Sequence, residues 1–347
     1  MRFRLIALVL AVSVLVSCGG QTRVGPNYSP SFAHGGYRVV YRVVDAKPDA
    51  RSPQTEVVEV RRPYDGRVET RKDGKITTGR ITSREHFWQL GKNGDLRFGV
   101  LRPPAGPARD ASLEALRDAA AAGVAVAGGT DSVLGRRCWW FAYRDPSPAA
   151  LRPPIDASRV ESCVDAAGIV LRDVWTLKGR PARILEAIDV RATAPPKERF
   201  MEGKDPASTK VTQPKGAELV ETQTIVRDVL RGRIETPFSF KKPKGWTRDR
   251  VALVASTAGQ GARPTQFLAQ TFLRERELVV VETGSSPDLA PAWGTSEGRR
   301  VAIGAGEGRM VYGIDRVEIR VLSALGYARV IAPSEALART FIERLGD

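Results

Sequence analysis

From Tyr37 onward, apolar and polar residues alternate in short runs with a period of two, the spacing of strands that bury one face. Tyr37–Val44 and Glu56–Val60 are dense in β-branched and aromatic side chains, which suit a pleated surface. Arg67–Arg71 alternates and runs into Lys72-Asp73-Gly74-Lys75, whose Asp-Gly pair signals a tight hairpin, and Ile76–Thr78 resumes the strand. His86–Leu90 and Leu96–Val100 flank Gly91–Asp95 as a further hairpin, and Arg136–Tyr143, Val160–Asp165, Ile169–Leu177 and Arg183–Val190 continue the series. One stretch breaks the pattern. Asp110–Ala122 consists of strong helix formers and stops at Gly123. Strands that follow one another with short turns make an antiparallel meander, not a set of βαβ units.

Residues 194–217 carry Pro195, Pro196, Pro206 and Pro214 among lysines with few apolar positions, and read as an interdomain linker. Beyond it, Leu219–Ile234 has mixed spacing compatible with strand or helix. Phe238–Phe240, Val251–Ser256, Phe267–Leu273, Leu278–Glu282, Val301–Ile303, Met310–Tyr312, Ile319–Leu322 and Tyr327–Ile331 predict strands. A terminal helix is expected after Pro333-Ser334, with Leu337, Phe341 and Leu345 on one stripe. At 347 residues the chain suits two domains, here 36–193 and a smaller 218–347, in a mainly β (α+β) fold.

The N-terminus predicts a compartment. Met1-Arg2-Phe3-Arg4 is basic, and Leu5–Val16 is an apolar run of signal-peptide length, short of the roughly 20 residues of a membrane-spanning helix. It ends in Leu15-Val16-Ser17-Cys18, which resembles the lipobox of bacterial lipoproteins. The resemblance implies a diacylglyceryl group on the Cys18 sulfur and cleavage before it. Residues 1–18 are then a signal peptide, 19–35 a flexible tether, and the mature chain sits on the extracytoplasmic side of a cell membrane.

Cysteine usage suits that compartment. Setting Cys18 aside leaves Cys138 and Cys163, an even pair that forms either a disulfide across neighbouring strands or two buried thiols. Two histidines, His34 and His86, exclude most zinc and histidine-based catalysis. The net charge of +15 is spread along the chain, without the basic, aromatic-interleaved stripe of a nucleic-acid interface. The excess charge either attracts anionic headgroups or envelope polymers or makes a solvated positive surface without a specific partner.

Apparent catalytic motifs fail on context. Gly294-Thr295-Ser296-Glu297-Gly298 spells a hydrolase elbow, yet both histidines lie upstream and a strand follows where the elbow needs a helix. Gly304–Gly308 leads from strand to strand, so no helix N-terminus is available for a phosphate. Neither enzymatic activity nor a cofactor is expected.

The Ala-rich helix, the run Gly135-Arg136-Arg137-Cys138-Trp139-Trp140 and the D-x-x-G hairpin in Cys163–Leu171 together resemble the LolA/LolB/RseB-like superfamily of envelope proteins. The resemblance implies an unclosed antiparallel β half-barrel whose mouth is stopped by helices, and binding of acyl chains or lipidated partners. A smaller β-rich second domain after a linker is similar to the layout of sigma-E regulators of the RseB/MucB type, which implies an anti-sigma factor as partner.

Alternation places Trp139, Phe141 and Tyr143 on one face of their strand and Cys138, Trp140 and Ala142 on the other. With Phe87, Trp88 and Trp175, the aromatics Trp139, Trp140 and Phe141 either line a slot for a hydrophobic ligand or form the sheet–helix core. Two functions fit these features. One is a membrane-anchored protein that binds lipid, a lipoprotein acyl chain or a membrane-protein segment. The other is a structural or adhesive envelope lipoprotein without hydrophobic ligand.

Overall fold

The computed structural model describes residues 35–45, 54–84, 86–101, 105–107, 110–143, 159–200, 224–228, 239–256, 265–284, 298–303, 306–322 and 326–346. Cys18, the signal peptide and the tether up to residue 34 lie outside the described residues, as does most of the Pro-rich linker.

The first sheet has eleven strands. Six run outward from its centre: β1 (Gly36–Asp45), β2 (Gln54–Arg61), β3 (Asp65–Lys72), β4 (Lys75–Thr82), β5 (His86–Leu90) and β6 (Leu96–Leu101). Helix α1 (Leu113–Ala121) carries the chain to the opposite edge, and β7 (Ala125–Val133), β8 (Arg136–Tyr143), β9 (Arg159–Asp165), β10 (Val170–Leu177) and β11 (Arg180–Arg191) return to β1. The order is β6-β5-β4-β3-β2-β1-β11-β10-β9-β8-β7, antiparallel throughout and unclosed. α1 therefore links the two free edges.

Turn chemistry sets the hairpins. Asp73 and Gly74 both take positive φ, as a two-residue hairpin turn between right-twisted strands requires. Asp165 closes the D-x-x-G turn: its Oδ1 accepts from Ala167 N and Ile169 N at 2.9 Å, and its Oδ2 accepts from Arg136 Nε at 2.9 Å.

Strand alternation then sorts the side chains. Tyr37, Val39, Tyr41 and Val43 of β1 share a face with Val58 and Val60, Leu185 and Ala187, Trp175, Val160 and Val164, and Phe141. All are buried, in one cluster with Leu113, Ala115, Leu116 and Ala119 of α1. This is the inner face. Each fully buried leucine of α1 contributes on the order of 2 kcal/mol.

The second half is built from β12 (Thr224–Asp228), β13 (Ser239–Phe240), β14 (Thr247–Ser256), β15 (Thr265–Arg274), β16 (Glu277–Gly284), β17 (Arg299–Ile303), β18 (Gly306–Tyr312), β19 (Val317–Leu322), β20 (Tyr327–Ala332), helix α2 (Glu335–Ile342) and β21 (Leu345–Gly346). Eight of these strands make one sheet, ordered β12-β14-β15-β16-β20-β19-β18-β17, and β13 pairs with β21. Val279, Val281, Met310, Ile319 and Val330 pack with Ala338 and Phe341 of α2 in the cluster that also holds α1.

Three features depart from the sequence expectations, and one open reading is resolved. The helix expected from Asp110 begins at Leu113, because Ser112 caps it by accepting from Ala115 N. Leu345 is not on the α2 stripe: the helix ends at Ile342, and Leu345 pairs with Phe240 as a strand. The 219–234 stretch contains a strand, β12. β7 lacks any alternation signal, because two glycines form a bulge opposite Trp140, and a Cβ on Gly128 would lie 2.9 Å from Trp140 Cβ.

Candidate functional site

The two halves meet at the end of the first sheet where β1 begins, and α1 lies at the seam. Ser112 is fully buried and uses its hydroxyl twice, accepting from Ala115 N at 3.1 Å and donating to Pro333 O at 2.7 Å. Its own N–H donates to Ile314 O at 2.9 Å. Nearly two turns further along α1, Asp118 Oδ2 accepts from Glu335 N at 2.7 Å, so a carboxylate of the first half occupies the N-terminus of α2, where the helix dipole favours it. Burial, and then the nearby Glu335 charge, raise the Asp118 pKa above the usual carboxylate value against that hydrogen bond. On the other side Tyr64 donates to Asp249 Oδ2 at 2.6 Å, and Arg84 faces the same carboxylate at 3.3 Å. Burial and this bond push the Tyr64 phenol upward.

Between these contacts lies a cleft of about 60 Å³ that draws on both halves. Its wall is apolar: Pro63 and Pro107 from the first half, with Leu278, Val280, Ile331 and Pro333 from the second. Arg62 and Asp110 form a buried pair at its back, with Arg62 Nε and Nη2 donating to the two Asp110 oxygens at 2.9 and 2.8 Å, and Nη2 also to Ala167 O at 3.1 Å. Burial works to lower the Arg62 pKa, and Asp110 more than offsets it. Arg276, Asp315 and Arg316 add polar lining. The chain enters the fold beside this cleft, because Gly35 O accepts from Arg62 N at 2.9 Å and a Cβ on Gly35 would lie 3.8 Å from Arg276 Nε. A space this small is well under the roughly 300–1,000 Å³ of small-molecule sites. It can seat one or two side chains of a polypeptide lying across the seam.

The aromatic candidates do not gather there. Phe141 and Trp175 are buried on the inner face, Trp175 beneath the Arg183 guanidinium at 4.9 Å. Half-buried Trp139 shares their face of the sheet, whereas Trp140 points to the other face, opposite Cys163. Phe87 is half-buried with its alternation on the inner side. Trp88 is on the outer side and packs with Ile81, Leu90 and Phe200. Phe200 arrives from residues 194–200, the start of the Pro-rich stretch, which lies against the outer face. There Arg199 Nη2 donates to Glu59 at 3.0 Å, and Arg67 Nη1 donates to Arg199 O at 3.0 Å. Cys138 and Cys163 are joined in a disulfide, diagonal across β8 and β9. Sequence reasoning missed Arg62, Asp110, Val280, Arg316 and Ile331, whose proximity no local pattern announces.

No family model matches the chain, and no curated protein matches it in sequence. Solved structures do align with it. MucB is 13% identical over 90% of this chain and 92% of its own, with a TM-score of 0.31. The complex of Pseudomonas aeruginosa MucA and MucB is 12% identical, covering 90% and 93%, at a TM-score of 0.30. A LolA superfamily protein from Nitrosomonas europaea is 10% identical over 49% of this chain and 92% of its own, at 0.24.

Proposed function

We infer that the protein is a membrane-anchored, extracytoplasmic binding protein that holds a segment of a membrane-protein partner in the cleft between its sheets and regulates that partner without chemistry of its own. The observation that carries this reading is the cleft's position beside Gly35, where the tether from Cys18 enters the fold. A flexible tether of this length spans roughly 25 Å. The cleft is thereby kept within reach of juxtamembrane segments and away from distant soluble ligands. The specific form implied by the sequence resemblance is the extracytoplasmic segment of an anti-sigma factor. An acyl chain is the poorer occupant, because α1 already serves as the apolar partner of the inner face.

The test is a photo-crosslinking amino acid at Ile331 in the acylated full chain, in its native membrane. An adduct with a membrane protein, lost in a Val280→Glu variant that still folds, is the expected result. Adducts with phospholipid or lipoprotein acyl groups instead would restore the hydrophobic-ligand reading. Absence of any adduct, together with retention on cell-wall polymer, would favour the structural alternative.

A further inference from the structure

The hairpin between β7 and β8 carries a residue out of place. Five described residues other than glycine take positive φ: Asp73, Asn93, Leu134, Lys178 and Glu275. Four are polar, and one is apolar. Asn and Asp adopt this conformation far more readily than a leucine, whose side chain gains nothing from it in water. Yet Leu134 is 55% exposed at the tip of its turn, ahead of Gly135, and gains no burial in the isolated chain. A strained, exposed apolar residue calls for a partner that covers it.

The topology indicates which partner. Leu134, the 166–168 turn, the end of β11 at Arg191 and the start of β1 at Gly36 all lie at one end of the first sheet, as the antiparallel register requires. The Asp73, Asn93 and Lys178 turns lie at the other end. Leu134 therefore occupies the end of the sheet at which the described chain begins, at Gly35. Behind the tip, Val133 is half-buried, Arg136 is held by Asp165, and exposed Arg137 lies over the Trp139 ring at 5.6 Å. Across the hairpin Arg137 is level with Ser132, two residues behind Leu134, so at about 3.3 Å per residue it lies roughly 7 Å back, a depth at which an arginine can remain among headgroups while an apolar tip is immersed. Asp131 Oδ1 is turned back to accept from Ser132 N at 2.7 Å.

We propose that the β7–β8 tip is a second membrane contact: Leu134 inserts into the bilayer interface and sets the orientation in which the tethered protein presents its cleft. This rests on the membrane-anchored reading above, and the two can fail separately. The test uses unacylated residues 19–347, which retain every described element, sedimented with phosphatidylcholine–phosphatidylglycerol vesicles. Wild type is expected to partition onto the vesicles. Leu134→Asn, which suits the left-handed turn better, should keep its melting temperature and lose about tenfold in partitioning, the order expected for one exposed leucine. Wild type remaining in the supernatant overturns the proposal, as does a Leu134→Asn variant that binds as tightly. So does a Leu134→Asn effect confined to self-association in light scattering, which would assign the tip to a second copy of the chain. Palmitate incorporation at Cys18 in the full chain reports on the anchor alone, whatever the vesicles show.

Discussion

Replacing Ser112 by Ala tests how the two halves are held as one body. The hydroxyl caps α1 and bonds Pro333 O across the seam, and the site is fully buried. Loss of an N-cap costs about 1 kcal/mol. The Pro333 carbonyl would be left buried without that donor, a further cost of about 1–2 kcal/mol. The Ile314 contact survives, because it uses the backbone N–H. We expect Ser112→Ala to lose about 2–3 kcal/mol in urea unfolding, most of it at the seam. Ser112→Thr keeps both hydrogen-bonding roles and should lie closer to wild type. Tryptophan fluorescence follows both halves, since Trp175 is in the first core and Trp246 in the second. A loss below about 0.5 kcal/mol for Ser112→Ala would mean that the hydroxyl couples nothing, and the picture of α1 as the link between the halves would be wrong.

Further expectations concern charge, covalent links and the anchor. Glu69 is fully buried on the outer face between Arg67 and Arg71. Burial raises its pKa, but hydrogen bonds and charge from the two arginines hold it below 4.5, so its stabilisation is present above that pH and fades as pH falls. Glu69→Gln should cost roughly 3 kcal/mol at neutral pH and flatten the acid limb of a pH–stability curve. Asp118 has the opposite sign: its folded pKa is raised above 3.8, so folding loses stability as pH climbs through the window above that value. Asp118→Asn, still able to accept from Glu335 N, should remove that slope in urea titrations run across the same window. Replacing Cys138 and Cys163 together by Ala should cost about 3 kcal/mol, read from urea midpoints against the oxidised protein. Cys18→Ser should abolish palmitate labelling; labelling that persists would sink the lipobox assignment.

The hairpins were readable because their turns are local chemistry. Asp73-Gly74 and the Asp165 turn select their own backbone angles within four residues, and alternation then puts Tyr37, Val39 and Tyr41 on one face. The cysteine pair was narrowed to two alternatives by spacing and compartment, and adjacency of β8 and β9 makes it a disulfide. β7 was invisible because its glycines answer to Trp140 across the bulge, a contact outside any local window. Leu345 matched a helical stripe by number alone, while the cap geometry of α2 ended the helix before reaching it.

What the amino-acid order by itself determined is a β-meander in two parts and an interrupting helix, because period and turn residues are properties of neighbouring positions. Only the tertiary structure decided that α1 serves both sheets, that residues 194–200 clamp the outer face, and that Arg62, Val280 and Ile331 border one cleft beside Gly35. Those groupings are set by packing between residues far apart in the chain, where many pairings satisfy the same pattern and shape complementarity selects one.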